Sequence, residues 1–244
     1  MSIDMNRKQF LGTVFATIAS SCIPLFGDVG KSEFDKCKDD ILYFVDNYLV
    51  VNDPLYGKLK MTPQQREYLK RISIAPDYFF CAKGRQTGIS TANNVFAYWK
   101  NLFFPGHKVW IVEPNMVMAK RVGELFANVS NTGGFQLDPD RIHFVSPHAL
   151  TCVNWHDRTN TFILDEFAFW GKGCLDKETW RELNANLSNP AFAKVTPQLF
   201  EKCACNFIVP STPQSPYDSF MLRISEVDNS RRMKIPSPMR GLEA

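Results

Sequence analysis

Apolar residues recur at helical spacing early in the chain, where Phe34, Ile41, Val45 and Tyr48 predict one amphipathic helix over residues 33–49, with Ser32 and Asp35 as a capping box. Asp53-Pro54 and Tyr56-Gly57 punctuate a turn. MTPQQREYLKRI then opens a second helix, with Thr62 as N-cap and Pro63 at its first position. The period changes at Tyr78-Phe79-Phe80-Cys81, a short unbroken apolar run of the kind that forms a buried strand. It returns to helical spacing from Ser90 to Phe103, with Val95, Trp99 and Leu102 on one face. Lys108 to Glu113 (KVWIVE) reads as another buried strand, ended by Pro114, and Asn115 caps a helix to about Val129. Strand, crossover helix and strand predict a parallel sheet. NTGGFQLDPD is loop; Arg141–Val145 and Leu150–Trp155 look like a strand pair. Thr161–Leu164 and Cys203–Val209 continue the buried strands, and Asp176–Leu187 and Tyr217–Val227 read as helices. The final SRRMKIPSPMRGLEA is polar, basic and Pro-bearing, as in a linker or frayed end.

The 244 residues suffice for one large core, or for one α/β domain with an N-terminal extension. A net charge of +3 neither requires nor excludes nucleic acid, because a local basic groove can sit on a balanced chain. The seven cysteines are scattered without a C-x-x-C pair and read as reduced thiols of a cytosolic protein; Cys203 and Cys205 read as packing residues. His107, His143, His148 and His156 lack zinc spacing. Arg7 and Lys8 ahead of the apolar stretch Phe10–Ala19 imitate a signal peptide. The stretch is dotted with Thr13, Thr17, Ser20 and Ser21 and is too short to span a bilayer, so a docking or partly disordered helix is the reading taken.

Two places carry candidate chemistry. The first is Tyr78–Thr91, YFFCAKGRQTGIST, in which a strand feeds a Gly-bearing loop into a helix N-terminus and so aims N–H groups and the helix dipole at one spot suited to a phosphate. Against the pattern G-x-x-x-x-G-K-[ST], it keeps Gly88 and Ser90, but Lys83 stands for the first Gly and Ile89 for the Lys. The second is Asp165-Glu166, two carboxylates at the end of a buried strand, where ligands bind in open α/β sheets. One acid would hold Mg²⁺ with Ser90 and the other would polarise the attacking water. A plain strand-turn-helix and a strand leaving for solvent through two acids fit the same residues. Gln64 and Gln65 precede the loop strand, where an amide can pair with an adenine edge; two solvated helix glutamines fit equally. Ser211 and Thr212 end the strand after the carboxylates, on the same sheet edge.

In this order, the Gln-bearing helix start, GRQTGIST, FILDEFAFW and FIVPSTPQSPYDSF resemble the ATPase domain of large terminase subunits, the DNA-packaging motors of tailed bacteriophages. The similarity runs from about Phe44 to Phe220. It implies a RecA-like P-loop ATPase fold, α/β with a mainly parallel sheet flanked by helices, over residues 31–230, preceded by an extension over 1–30 and followed by a tail over 231–244. By the resemblance, Gln65 contacts adenine, and Lys83, Gly84, Arg85, Gln86, Thr87, Gly88, Ile89, Ser90 and Thr91 bind ATP as the Walker A segment. Arg85 senses or stabilises the γ-phosphate; Lys83 stands at the start of the loop as in some terminases, and either Lys83 or Arg85 supplies the charge of the missing lysine, or the site only binds. Asp165 holds Mg²⁺, Glu166 is the catalytic carboxylate, and Ser211-Thr212-Pro213 is the coupling motif. The partners implied are double-stranded DNA, a portal protein, a small terminase subunit and further copies in a ring, at the procapsid in the host cytoplasm, with no membrane. The nuclease domain that follows in the family is expected to be absent, since about two dozen residues remain after Phe220. A hydrolysis-poor terminase fragment acting through assembly contacts, and a helicase-like ATPase, share the same loop and carboxylates.

Overall fold

A computed structural model describes residues 31–53, 57–75, 78–147, 149, 157–169, 205–213, 224–225 and 227–236. The expected extension over 1–30, the strand over 150–155, the helix over 176–187 and most of that over 217–227 lie outside the described residues.

The first amphipathic stretch is two helices, α1 (Lys31–Asp39) and α2 (Ile41–Asn47), where one was expected over 33–49. Asp40 breaks it: its backbone turns extended at φ −133°, ψ 105°, and its carboxylate accepts the Leu42 N–H, starting a new helix. Because α1 begins at Lys31, Ser32 lies inside its first turn rather than ahead of it. Strands β1 (Leu49–Asp53) and β2 (Gly57–Lys58) follow, so Asp53 ends a strand where a turn was expected. Helix α3 (Pro63–Ile74) starts as its sequence predicts, with Thr62 and Gln65 forming a full capping box.

Beyond it lie β3 (Tyr78–Lys83), α4 (Ile89–Phe103), β4 (Lys108–Val112) and α5 (Met116–Phe126). Helix α5 is capped by Asn115 but stops short of the expected Val129. There Asn128 donates to the Leu125 carbonyl, a tightened last turn that releases Val129–Asn131 as β5, antiparallel to β1. The remaining strands are β6 (Ile142–Val145), β7 (Asn160–Leu164), β8 (Asn206–Ser211) and β9 (Arg232–Ile235).

The main sheet has six parallel strands in the order β6-β4-β7-β8-β3-β9, and β2-β1-β5 make a small antiparallel sheet. Strand β8 starts later than the expected Cys203, at Asn206, since the Cys205 thiol donates to the Asp157 carbonyl. It runs on through Pro210, where it pairs only with β3; its pairing with β7 ends at Ile208. Residues 232–235, expected to be tail, form the edge strand β9 in register with Phe80–Lys83. Arg71 donates to the Arg232 carbonyl and the Arg231 guanidinium lies 4.5 Å over the Tyr78 ring, which fixes a segment whose polar residues suggested fraying.

Both sheet faces are apolar, as parallel strands require. Phe79, Cys81, Val109, Ile111, Ile163 and Ile208 share one core with helices α3–α5. The alternate residues Trp110, Phe162 and Phe207 stack across neighbouring strands on the other face, at 6.1 and 5.5 Å. Burying each such ring is worth about 1.5–3 kcal/mol, which fixes strand register and thereby the line of strand ends at the carboxyl edge.

Candidate phosphate-binding loop and carboxylate site

The expected loop and carboxylates meet at that edge. Strand β8 lies between β3, which leads into the loop, and β7, which ends in the carboxylates, so Ser211 and Thr212 sit between them. Lys83 is the last residue of β3 rather than the first of the loop, and Gly84 N–H is spent on the Ile235 carbonyl at 2.7 Å. The loop closes through Thr87 Oγ1, which donates to the Gly84 carbonyl at 3.1 Å. Gln86 at φ 59° and Gly88 at φ 71° are left-handed, a turn that curls the backbone around a concavity. Among the described residues, the N–H groups of Arg85, Gln86, Thr87 and Gly88 have no acceptor. The same residues line a cavity of 370 Å³ walled by Lys83, Glu166 and residues 84–91, large enough for a nucleotide's phosphates.

Gln65 braces the loop. Its Oε1 accepts the Thr62 N–H at 2.8 Å and its Nε2 donates to the Gly88 carbonyl at 3.0 Å, leaving one N–H and one lone pair for a base edge. At φ 71° the Gly88 backbone favours glycine, and a Cβ there would stand 2.2 Å from that nitrogen and push the Gln65 amide aside. Gln64 is exposed. Ile89 begins α4 one residue earlier than expected, and its side chain is 1 % exposed in the core, so position 89 does not present a side chain to the cavity as a lysine there would need. Arg85 is exposed at the rim and makes no ion pair among the described residues; Thr91 is half-buried.

Three charged groups meet beside the loop. Lys83 Nζ is 2.8 Å from Glu166 Oε1 and 3.2 Å from Asp165 Oδ1. Burial alone would pull its pKa down, but the two carboxylates outweigh burial and hold it above the ordinary lysine range. Ser90 Oγ donates to Asp165 Oδ2 at 2.9 Å, and Glu166 N–H to Oδ1 at 2.9 Å. Glu166, left-handed at φ 51°, accepts from Thr212 N–H at 2.9 Å and Thr212 Oγ1 at 3.1 Å. Such strain in a non-glycine residue is held by the surrounding bonds and collects at working sites. Ser211 is fully buried and Pro213 half-buried just beyond. A carboxylate and a hydroxyl 2.9 Å apart are hard oxygen donors that fit Mg²⁺, which takes one or two carboxylates and completes its shell with phosphate and water. Among the described residues no three acidic, histidine or cysteine side chains are grouped as a metal cage.

Three residues here were not singled out in the sequence. Glu113 follows β4 level with Asp165, 1 % exposed, and its Oε1 has no hydrogen-bond partner among the described residues. Burial first, then Asp165, pushes its carboxyl up to about 8. Its signal was available: an acid ending a buried apolar run, like Asp165-Glu166. Asn93 and Tyr68, both fully buried, touch each other and the site: Tyr68 OH donates to Asn93 Oδ1 at 2.7 Å, and Asn93 Nδ2 to Asp165 Oδ2 at 3.4 Å. The polar pair Asn93-Asn94 inside an apolar helix was the hint.

The fold is α/β with a mainly parallel sheet flanked by helices, with one strand between the loop strand and the carboxylate strand. No protein-family model and no curated protein matches the sequence. Among solved structures the chain is similar to the UvsW helicase from bacteriophage T4, at 10% identity over 86% of this chain and 69% of that chain, TM-score 0.48. It is similar to the large terminase from a thermophilic bacteriophage, at 10% identity over 73% of this chain and 46% of that chain, TM-score 0.47. A third is the large terminase ATPase domain of a Thermus phage, at 14% identity over 73% of this chain and 86% of that one, TM-score 0.39. No helix among the described residues is long and apolar enough to cross a membrane.

Proposed function

We propose that this chain is an ATP hydrolase, the motor subunit that couples turnover to packaging double-stranded DNA into a phage procapsid. The observation that carries the hydrolase reading is the meeting of Lys83, Ser90, Asp165 and Glu166 beside a cavity lined by free loop N–H groups. The loop amides and the N-terminus of α4 bind the β- and γ-phosphates, and Gln65 meets the adenine. Ser90 and Asp165 hold Mg²⁺, which supplies charge neutralisation on the phosphate oxygens. Lys83 exchanges carboxylate for phosphate when the nucleotide enters, and Arg85 closes over the γ-phosphate from the rim. Glu166 orients the attacking water and takes its proton, held in place by Thr212. Ser211-Thr212-Pro213 couples hydrolysis to movement, because a change at Glu166 reaches the end of β8 through the two Thr212 bonds.

The packaging reading rests on the four motifs that resemble terminase ATPase domains. It assigns a ring of copies on a portal, a small terminase subunit as partner, and DNA gripped by its phosphates without sequence preference. Such binding weakens steeply with salt, so DNA affinity measured at rising ionic strength should fall alike for unrelated sequences; salt-insensitive preference for one short sequence would remove the motor reading. Glu166→Gln is expected to lower phosphate release by about 10²–10⁴-fold while nucleotide binding survives, and wild-type turnover in this variant would remove Glu166 from the mechanism. A second reading, a nucleotide-binding module with little hydrolysis, is favoured by the engagement of Lys83 with both carboxylates. Turnover by the assembled wild-type ring separates the two.

A further inference from the structure

Helix α3 carries two side chains one turn apart that both reach the site. Gln65 braces Gly88, and Tyr68, three residues on, reaches Asp165 through Asn93. Both residues of this second path are fully buried, so neither has water as an alternative partner. The Tyr68 hydroxyl donates to Asn93 Oδ1, and that bond turns the amide so that its NH₂ faces Asp165. Were the amide reversed, its oxygen would oppose Asp165 Oδ2 and Asn93 would repel the carboxylate it now holds. Asp165 Oδ2 is also the oxygen on which Ser90 Oγ donates, whereas Oδ1 is taken by Glu166 N–H and Lys83.

We propose that Tyr68 and Asn93 form a positioning relay that fixes the rotation of the Asp165 carboxylate, keeping Oδ2 beside Ser90, and so sets the affinity of this pair for a divalent cation. The inference rests on the ATP-binding reading above and deepens it. Its consequence is that helix α3 controls both walls of the site, the loop through Gln65 and the cation oxygen through Tyr68. A carboxylate held at one rotation offers its oxygen already aimed, and the cation does not have to offset the cost of ordering it.

The test uses the full chain with Mn²⁺ as the probe, its binding followed by electron paramagnetic resonance in the presence of a non-hydrolysable ATP analogue. Nucleotide affinity without metal is measured in parallel. Tyr68→Phe keeps ring and volume, so the fold is retained. We expect its Mn²⁺ affinity to fall about tenfold while metal-free nucleotide affinity stays within about twofold, a split that a general loss of structure would not produce. Asn93→Leu should lose at least as much, and Tyr68→Phe combined with Asn93→Leu no more than Asn93→Leu alone, because the tyrosine acts through the asparagine. Wild-type Mn²⁺ affinity in Tyr68→Phe, or additive losses in the double variant, overturns the relay and leaves the ATP reading intact. Failure of the wild-type chain to bind the analogue overturns both.

Discussion

Glu33 and Glu113 are acidic side chains treated in opposite ways by two regions of this molecule. In the helical corner, the Glu33 carboxylate accepts from Lys36 at 2.7 Å, Tyr43 at 2.8 Å and Tyr48 at 2.9 Å. Lys36 first, then the two phenols, holds it down at about 2. Around it Phe34, Phe44, Phe103 and Phe135 pack ring against ring. At the carboxyl edge of the main sheet, among the described residues, Glu113 is buried with an unpartnered oxygen, Lys83 is shared by two carboxylates, Gln86 and Glu166 are left-handed, and the N–H groups of Arg85, Gln86, Thr87 and Gly88 lack acceptors. A region that only has to be stable satisfies its polar groups; one that must take a ligand leaves them waiting.

That contrast breaks first at Lys83. Lys83→Ala removes the one cation between Asp165 and Glu166 among the described residues and should lower ATP turnover by about 10³-fold, or about 4 kcal/mol of barrier, read as phosphate release. Adding Ile89→Lys should not restore it and should lower Tm, because position 89 faces the core. Full turnover in Lys83→Ala would transfer the role to Arg85. In the corner the reverse is expected: Phe103→Ala should cost about 3–5 kcal/mol by thermal or denaturant unfolding and leave the nucleotide affinity of the folded protein unchanged.

Glu113 sharpens the comparison with a smaller, pH-dependent effect. Folded, it keeps its proton to about 8, whereas unfolded it loses it near the ordinary 4.5. Between these values the folded chain binds more protons, so its stability falls as pH rises through the window, by up to about 1.4 kcal/mol per unit, and levels off above it. Glu113→Gln has no proton to lose. Its Tm advantage over the wild type should therefore grow from about pH 5 to about pH 8, and an advantage independent of pH would place the charge of Glu113 elsewhere.

The buried strands of the main sheet, their parallel pairing and the loop were legible because unbroken apolar runs have few ways to be buried, and because Asp165-Glu166 ends one of them. Breaks were harder to read. Asp40 splits a helical period that Phe34, Ile41 and Val45 continue across it, and a capping carboxylate leaves no mark on apolar spacing. Strand β9 was hidden since an edge strand carries Arg and Lys outward and reads as polar tail. The motif residues that meet at the carboxyl edge stood out in the sequence; Tyr68 and Asn93 did not, because a buried hydrogen bond between residues 25 apart on two helices is invisible to local pattern. Gln65 was seen as a base reader, while its present bonds to Thr62 and Gly88 show a brace.

The bond from Gly84 N–H to the Ile235 carbonyl puts the loop in mechanical series with whatever pulls on the chain after residue 236. Among the described residues the strand ending at Ile235 pairs only with β3, so a pull beyond residue 236 would load the bond that anchors the loop. Force along the chain and the shape of the loop cavity would then be joined through one hydrogen bond.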